Sequence, residues 1–312
     1  MNPRYPIYIP SKGRYDSRIT IKELDRLGLY YYVVIEPQEF DLYAQYVDES
    51  RLLVPGHSNV PDGLVRSRNW IWNHARENGF KRHWQLDDNI NSFWRLNNNV
   101  RIRVADGTIF RCIEDFTERY ENVPHSGMQY FMFCPDRMSW PPFVTNTRVY
   151  SIHLLCNETK LNGELLYFRG PYNDDTDLSL RILKAGYCTI LFNAFLGQKA
   201  TTMTVKGGNV PIYVGDGRLK MAQALVDWHP DVTVITRKWG RAQHQVDYSG
   251  FKKNKLIRKP GWNYSGINNY GMELVEIKKP AQPKKPFKPF NMEDYWKKQG
   301  FKRDPRADIQ AL

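Results

Sequence analysis

Two adjacent carboxylates, Asp87 and Asp88, followed by Asn89, close the run His83-Trp84-Gln85-Leu86. Carboxylates side by side at a strand end repel one another and lose hydration, so they need a cation nearby. Hard oxygen ligands favour Mg²⁺ or Mn²⁺ over zinc, and such an ion could bridge the phosphates of a departing nucleotide diphosphate. The same triplet also suits a turn that caps a following helix. A second cluster, Asn173-Asp174-Asp175-Thr176-Asp177, opens the stretch Leu178 to Gly186. On a helix Leu178, Ile182 and Leu183 share a buried face while the three aspartates crowd the first turn. The helix dipole accounts for them there; alternatively one is a general base within reach of an acceptor hydroxyl. A third, Gly63-Leu64-Val65-Arg66-Ser67-Arg68-Asn69, puts arginines and backbone N–H groups at a helix start. That is an anion site, or an ordinary amphipathic helix with surface arginines.

The elements that must position these clusters alternate as in βαβ units, which predicts a mainly parallel sheet. Strands are expected at Tyr5–Ile9, Tyr31–Ile35, Arg51–Val54 and His83–Leu86. Helices are expected from Ser17, as cap, through Leu27, over Phe40–Val47 and over Gly63–Gly79. Ligands of such sheets bind beyond the strand carboxyl ends, where Ser11 to Arg14, Glu36 and Asp87 to Asn89 fall. The middle third reads as more β-rich, with strands at Met128–Cys134, Val149–Leu155, Leu165–Phe168 and Cys188–Phe192. Helices at Thr176–Ala185 and Leu219–Trp228 and a strand at Val232–Ile235 complete the pattern. No Walker A loop, G-x-G-x-x-G, G-x-S-x-G or H-E-x-x-H occurs, which disfavours P-loop NTPases, Rossmann dehydrogenases, α/β-hydrolases and zincins.

The chain has 312 residues and a net charge of +12, with nine Trp, nineteen Tyr and fifteen Phe to build a core. From Gly250 onward fifteen Lys and Arg face six Asp and Glu, so most of the excess charge sits at the end. The segment KKPAQPKKPFKPF from Lys278 is expected to be extended, before a short helix, Met292 to Lys298, with Tyr295 and Trp296 as anchors. It is either a solvated linker or a polyanion-binding arm. Trp239, Tyr248 and Trp262, interleaved with Lys252, Lys253 and Lys255, suit base stacking and backbone tracking, or a core edge beside a solvated surface. No run approaches bilayer-spanning length and no signal peptide opens the chain, so no membrane partner is expected. Four cysteines, all more than twenty residues apart, fit a reducing cytoplasm.

In this order the clusters resemble the nucleotide-sugar-dependent glycosyltransferases of the GT-A fold. The corresponding pieces are the loop PSKGR, the helix GLVRSRN, the metal turn LDDN and the base motif DDTDLSLRILKAGY. More narrowly, YIPSKGR, QLDDN, the GGN at Gly207 to Asn209 and GRAQHQVDY at Gly240 to Tyr248 resemble the TET-associated glycosyltransferases of phages. The resemblance implies an α/β, GT-A-like domain over residues 1–258, Rossmann-like and mainly parallel, flanked by helices. Residues 1–100 would bind the nucleotide sugar and the β-rich residues 101–258 the acceptor; residues 259–312 form a basic extension. It implies transfer of sugar from a donor such as UDP-glucose or UDP-N-acetylglucosamine onto a 5-hydroxymethylpyrimidine, above all 5-hydroxymethylcytosine, in phage DNA. The reaction would run in the host cytoplasm as a metal-dependent, inverting displacement.

By the same resemblance Asp175 is the catalytic base. Pro10, Ser11, Arg14, Glu36, Gly63, Arg68, Asn69 and Asp87 bind the nucleotide sugar. Asp174, Asp177, Gly207, Gly208 and Asn209 support the acceptor, and Asp87, Asp88 and His244 hold Mn²⁺ or Mg²⁺. Asn89 stands where many relatives have a third Asp, and Gln243 precedes His244 where they often pair histidines. Ligation among Asp87, Asp88 and Asn89 stays open. The same fold would also serve a protein, small-molecule or polymer acceptor, or a silent DNA-binding protein.

Overall fold

The computed structural model describes residues 1–97, 100–134, 140–200, 207, 216–238, 240–261, 266–267, 273–274 and 297. The chain divides into two compact units, Met1–Trp262 and Asn263–Leu312. In the first, β1 (Ile7–Pro10), α1 (Ile19–Arg26), β2 (Tyr32–Val34), α2 (Phe40–Ala44), β3 (Leu52–Leu53), α3 (Gly63–Glu77) and β4 (Arg82–Leu86) alternate as the sequence predicts. Then come β5 (Ile90–Asn97), β6 (Val100–Arg103), α4 (Thr108–Thr117), β7 (His125–Tyr130), β8 (Phe143–Thr145), β9 (Ile152–Cys156) and the hairpin of β10 (Lys160–Leu161) and β11 (Glu164–Leu165). α5 (Asp174–Lys184), β12 (Thr189–Lys199), α6 (Gly217–Trp228), β13 (Thr233–Lys238) and β14 (Arg241–Val246) complete it. The described part of the second unit pairs β15 (Gly266–Ile267) with β16 (Glu273–Leu274).

Ten strands form one large sheet, ordered β3-β2-β1-β4-β9-β7-β12-β5-β6, with β8 added along β12. Only β9, β5 and β8 run against the others, so the sheet is mostly parallel. Strand alternation sends side chains to both faces. Ile7 and Ile9 of β1 join Ile21 and Leu24 of α1 and Ile109, Phe110 and Ile113 of α4 in one core. Tyr8, between them, faces Ile71 and Ala75 of α3 on the opposite side. Val65 and Trp72 of α3 also meet Leu178 and Ile182 of α5. The aspartates of α5 and the arginines of α3 are thereby locked to one scaffold.

Several local expectations are corrected. The Asp87–Asn89 turn caps no helix but runs straight into β5, so the capping account of its acids does not hold. Ser17 is not the cap of α1; that position is Arg18, in the left-handed region at φ 45°, with no side-chain cap. The strand expected at Met128–Cys134 ends at Tyr130, and Leu165–Phe168 is a strand only at its first residue. Asn69 replaces the missing strand bonds of Phe168: its amide donates to the Phe168 carbonyl and accepts from the Phe168 N–H, both at 2.9 Å. At the centre of the sheet β7 and β9 approach closely at Gly127, where a Cβ would fall 2.0 Å from the Ile152 carbonyl oxygen.

Candidate active site

A cavity of about 360 Å³ opens at the carboxyl ends of β1, β2 and β4, where the α/β topology places ligands. The loop after β1 forms one wall. Ser11 donates to Asp88 Oδ2 at 2.8 Å and bonds Tyr43 Oη at 2.7 Å. Lys12 Nζ spans both oxygens of Glu36, at 2.7 and 2.8 Å, and Gly13 N–H donates to Glu39 Oε1 at 2.7 Å. Arg14 pairs with Asp88 and, at 3.4 Å, donates to the Gly207 carbonyl. Gly207 lies against this loop at φ +86°, and a Cβ there would sit 2.5 Å from the Gly13 carbonyl oxygen.

Arg68 is the hub of the opposite wall, 3% exposed on the first turns of α3. Nη2 reaches Asp87 Oδ1 at 2.9 Å; Nη1 reaches Asp175 Oδ1 at 2.5 Å and Asp174 Oδ2 at 3.1 Å. Its guanidinium lies 4.8 Å from the centroid of the Phe168 ring. Asn69 therefore supports the site through Phe168 and is not among the residues that line the cavity. Across from Arg68, Lys199 Nζ at the end of β12 is 2.5 Å from Asp87 Oδ2 and 2.9 Å from Ser151 Oγ. Ser151 Oγ also donates to Asp87 at 2.6 Å. Ser151 holds φ 58°, a left-handed conformation costing about 1–2 kcal/mol in a non-glycine residue.

These contacts set the protonation states. Burial pushes carboxyl pKa values up, but Arg68 and His153 more than offset it at Asp175, holding it far below the ordinary range. At Asp87 Lys199 and Arg68 likewise overcome burial. At Asp174 burial prevails over Arg68, with Asp175 and Asp87 adding repulsion, and the carboxyl rises to about 7. At Asp88 burial outweighs Arg14 and Ser11, and the pKa rises. Burial opposes a charged Lys199, yet Asp87 holds it protonated far above the usual lysine range. Behind Asp175, His153 Nε2 lies 3.3 Å from its Oδ1, and His153 Nδ1 is 2.9 Å from His125 Nε2. Burial, with His153 beside it, keeps His125 neutral.

Pro10, Ser11, Arg14, Glu36, Gly63, Arg68, Asp87, Asp88, Asp174 and Asp175 therefore converge on one cavity. Asp177 does not. It is fully buried outside the cavity lining, within 2.9 Å of Arg169, Arg181 and His229, as the helix's internal counter-charge. Gly208 and Asn209 lie outside the described residues, as do Trp239, Trp262 and the segment from Lys278 to Phe290. Tyr248 packs on Phe251 at 6.4 Å between centroids. Lys199, Ser151, His153, Tyr130 and Tyr150 join the site with no local sequence motif to announce them.

The expected metal ligands do not fit a metal centre. Both oxygens of Asp87 are taken by Arg68, Lys199 and Ser151, and those of Asp88 by Arg14 and Ser11. His244 is opposite Ile235 in the separate β13–β14 ribbon, where burial and Arg148 lower its pKa to about 4. Among the described residues no three His, Cys, Asp or Glu side chains gather as a metal group.

A large, mostly parallel sheet flanked by helices, with a cleft of acidic and basic side chains at its carboxyl ends, defines a mixed α/β protein with its ligand site where such sheets place one. The chain belongs to the TET-associated glycosyltransferase family, whose profile matches residues 5–208, and it is a glycosyltransferase. No curated protein sequence matches it at a significant level. Among solved structures, a protein described as a nucleotide-diphospho-sugar transferase from Desulfovibrio desulfuricans G20 shares 10% identity. The match covers 72% of this chain and 97% of that one at a TM-score of 0.38, too slight a likeness to carry any argument.

Proposed function

We propose that this protein moves a sugar from a nucleotide-sugar donor onto the hydroxymethyl group of a 5-hydroxymethylpyrimidine in DNA, 5-hydroxymethylcytosine foremost. The observation that carries the reading is the Asp174–Asp175 pair facing Arg68 inside the cavity, in a chain of this family. The donor diphosphate is drawn to Arg68 and to the start of α3. As Arg68 turns toward phosphate oxygens it loosens its hold on Asp175, whose proton affinity rises. Asp175 then takes the acceptor hydroxyl proton while that oxygen bonds to the anomeric carbon. The bond from that carbon to the diphosphate breaks, the electron pair leaves with the nucleotide, and the anomeric centre inverts.

In this reading the acceptor sits in a second pocket of about 120 Å³ that shares Tyr130 and Tyr150 with the first. Those rings stack at 5.7 Å, and Arg148, Gln129 and Thr147 supply polar groups around them. Such a pocket admits a single base rather than a duplex, which favours a flipped nucleotide. The test is mass spectrometry of nucleosides from 5-hydroxymethylcytosine DNA incubated with the protein and a panel of nucleotide sugars. A hexose- or acetylhexosamine-sized gain is expected. Donor binding without gain on any hydroxymethylated DNA would move the acceptor to a protein, small molecule or polymer.

A further inference from the structure

We infer that Lys199, with Arg68 beside it, is the cation that neutralises the departing diphosphate, and that transfer proceeds without a divalent metal. The inference rests on the glycosyl-transfer reading above. Register brings Lys199 to this place: it pairs with Ile90 at the start of β5, and the next N–H, of Ala200, donates to the Asn89 carbonyl at 2.9 Å. The end of β12 is thus sewn to the Asp87–Asn89 turn. Nζ bridges Asp87 and Ser151 in the position that a metal on Asp87 would need. A divalent ion bound to the same oxygen would have to expel the ammonium or sit against a like charge.

The surrounding groups are arranged for the lysine. Ser151 accepts from Lys199, donates to Asp87, and does so from a left-handed backbone that a serine adopts only at a cost. The Asp87 N–H in turn donates to the Ser151 carbonyl at 2.8 Å, so turn and serine fix one another. The ammonium has three protons, and Asp87 and Ser151 use two. Lys199 lines the cavity, and its third proton is available to a phosphate oxygen. When the anomeric C–O bond breaks heterolytically, the electron pair goes to that oxygen. Lys199 stabilises it as a charge-assisted hydrogen-bond donor and keeps its own proton.

Transfer to 5-hydroxymethylcytosine DNA is measured with excess EDTA and again with Mn²⁺, alongside Mn²⁺ binding by electron paramagnetic resonance in the presence of UDP. The wild type is expected to turn over equally in both and to leave Mn²⁺ free. Lys199→Met is expected to lose on the order of 10²–10³-fold in kcat, as for loss of one transition-state donor, and Lys199→Arg to retain part of it. Lys199→Ala, which vacates Asp87, is expected to bind Mn²⁺ and to regain turnover with it. Wild-type turnover abolished by EDTA and restored by Mn²⁺, or stoichiometric Mn²⁺ binding by the wild type with UDP, overturns the inference while leaving the transferase reading intact. Absence of transfer under every condition defeats the transferase reading, and the Mn²⁺ titrations of wild type and Lys199→Ala still decide the role of the lysine.

Discussion

Asp174 and Asp175 are neighbours with opposite proton affinities, because Arg68 and His153 favour ionised Asp175 while burial dominates at Asp174. At neutral pH the pair thus keeps an ionised base beside a carboxyl close to its titration point. Asp175→Asn is expected to lower kcat by about 10²–10⁴-fold with donor affinity retained, as separate kinetic and calorimetric titrations would register. Near-normal turnover in that variant would remove Asp175 from the role of base. The Asp174 shift also has a thermodynamic sign. Its pKa in the folded protein, about 7, lies above the ordinary value near 4. Its contribution to stability is therefore complete below pH 4 and lost as the pH climbs through 7. Asp174→Asn should flatten that part of the melting-temperature profile of the donor-free protein between pH 5 and 8; an unchanged slope would contradict the assignment.

Helix α5 carries two kinds of aspartate, and its packing separates them. Asp174 and Asp175 meet Arg68 at the cavity, whereas Asp177, one turn on from Asp174, balances Arg169 and Arg181 in the interior. Removing one member of a buried charge network typically costs 3–5 kcal/mol because the partners stay behind. Asp177→Asn should thus lose about that much unfolding free energy in denaturant titrations, while the protein that remains folded binds donor normally. A donor-binding defect without destabilisation would return Asp177 to the site. The loop after β1 makes a different demand, since Gly207 packs its backbone directly on Lys12 and Gly13. Gly207→Ala adds a Cβ at a positive φ, a strain on the order of 1–3 kcal/mol. It is expected to weaken donor binding roughly tenfold by calorimetry and to lower the melting temperature by a few degrees.

Across the whole molecule the charge is uneven, with the basic excess toward the chain end, and a basic segment attracts polyanions. No described helix is long and apolar enough to cross a membrane. If the acceptor is DNA, log affinity should fall linearly with log salt, with a slope of about −0.9 per phosphate neutralised. Replacing Lys284, Lys285 and Lys288 together by Ala should make that slope shallower by about one for each lysine that contacts phosphate. A slope unaffected by the triple change would make the Pro-rich segment a linker rather than an arm.

The three clusters that could be read directly from the chain, around Gly63, Asp87 and Asp174, are contiguous in sequence. Their strand–turn and turn–helix contexts follow from local periodicity and turn chemistry, and so did the alternating first hundred residues. Contiguity does not predict where three of the expected site residues stand. Asn69 and Asp177 belong to cavity motifs but point to Phe168 and to Arg169 and Arg181, and His244 stands in a ribbon outside the main sheet. Lys199, Ser151 and His153 were invisible for the converse reason. Lys199 ends β12, Ser151 precedes β9 and His153 lies within it, none with a local sign of chemistry, and they meet Asp87 and Asp175 only because β9, β7 and β12 follow β4 across the sheet. Short-range propensity decides which segments become strands and helices. Strand order and register decide which distant charges share a low-dielectric cleft, and so which carboxylate keeps its proton and which cation a diphosphate would meet.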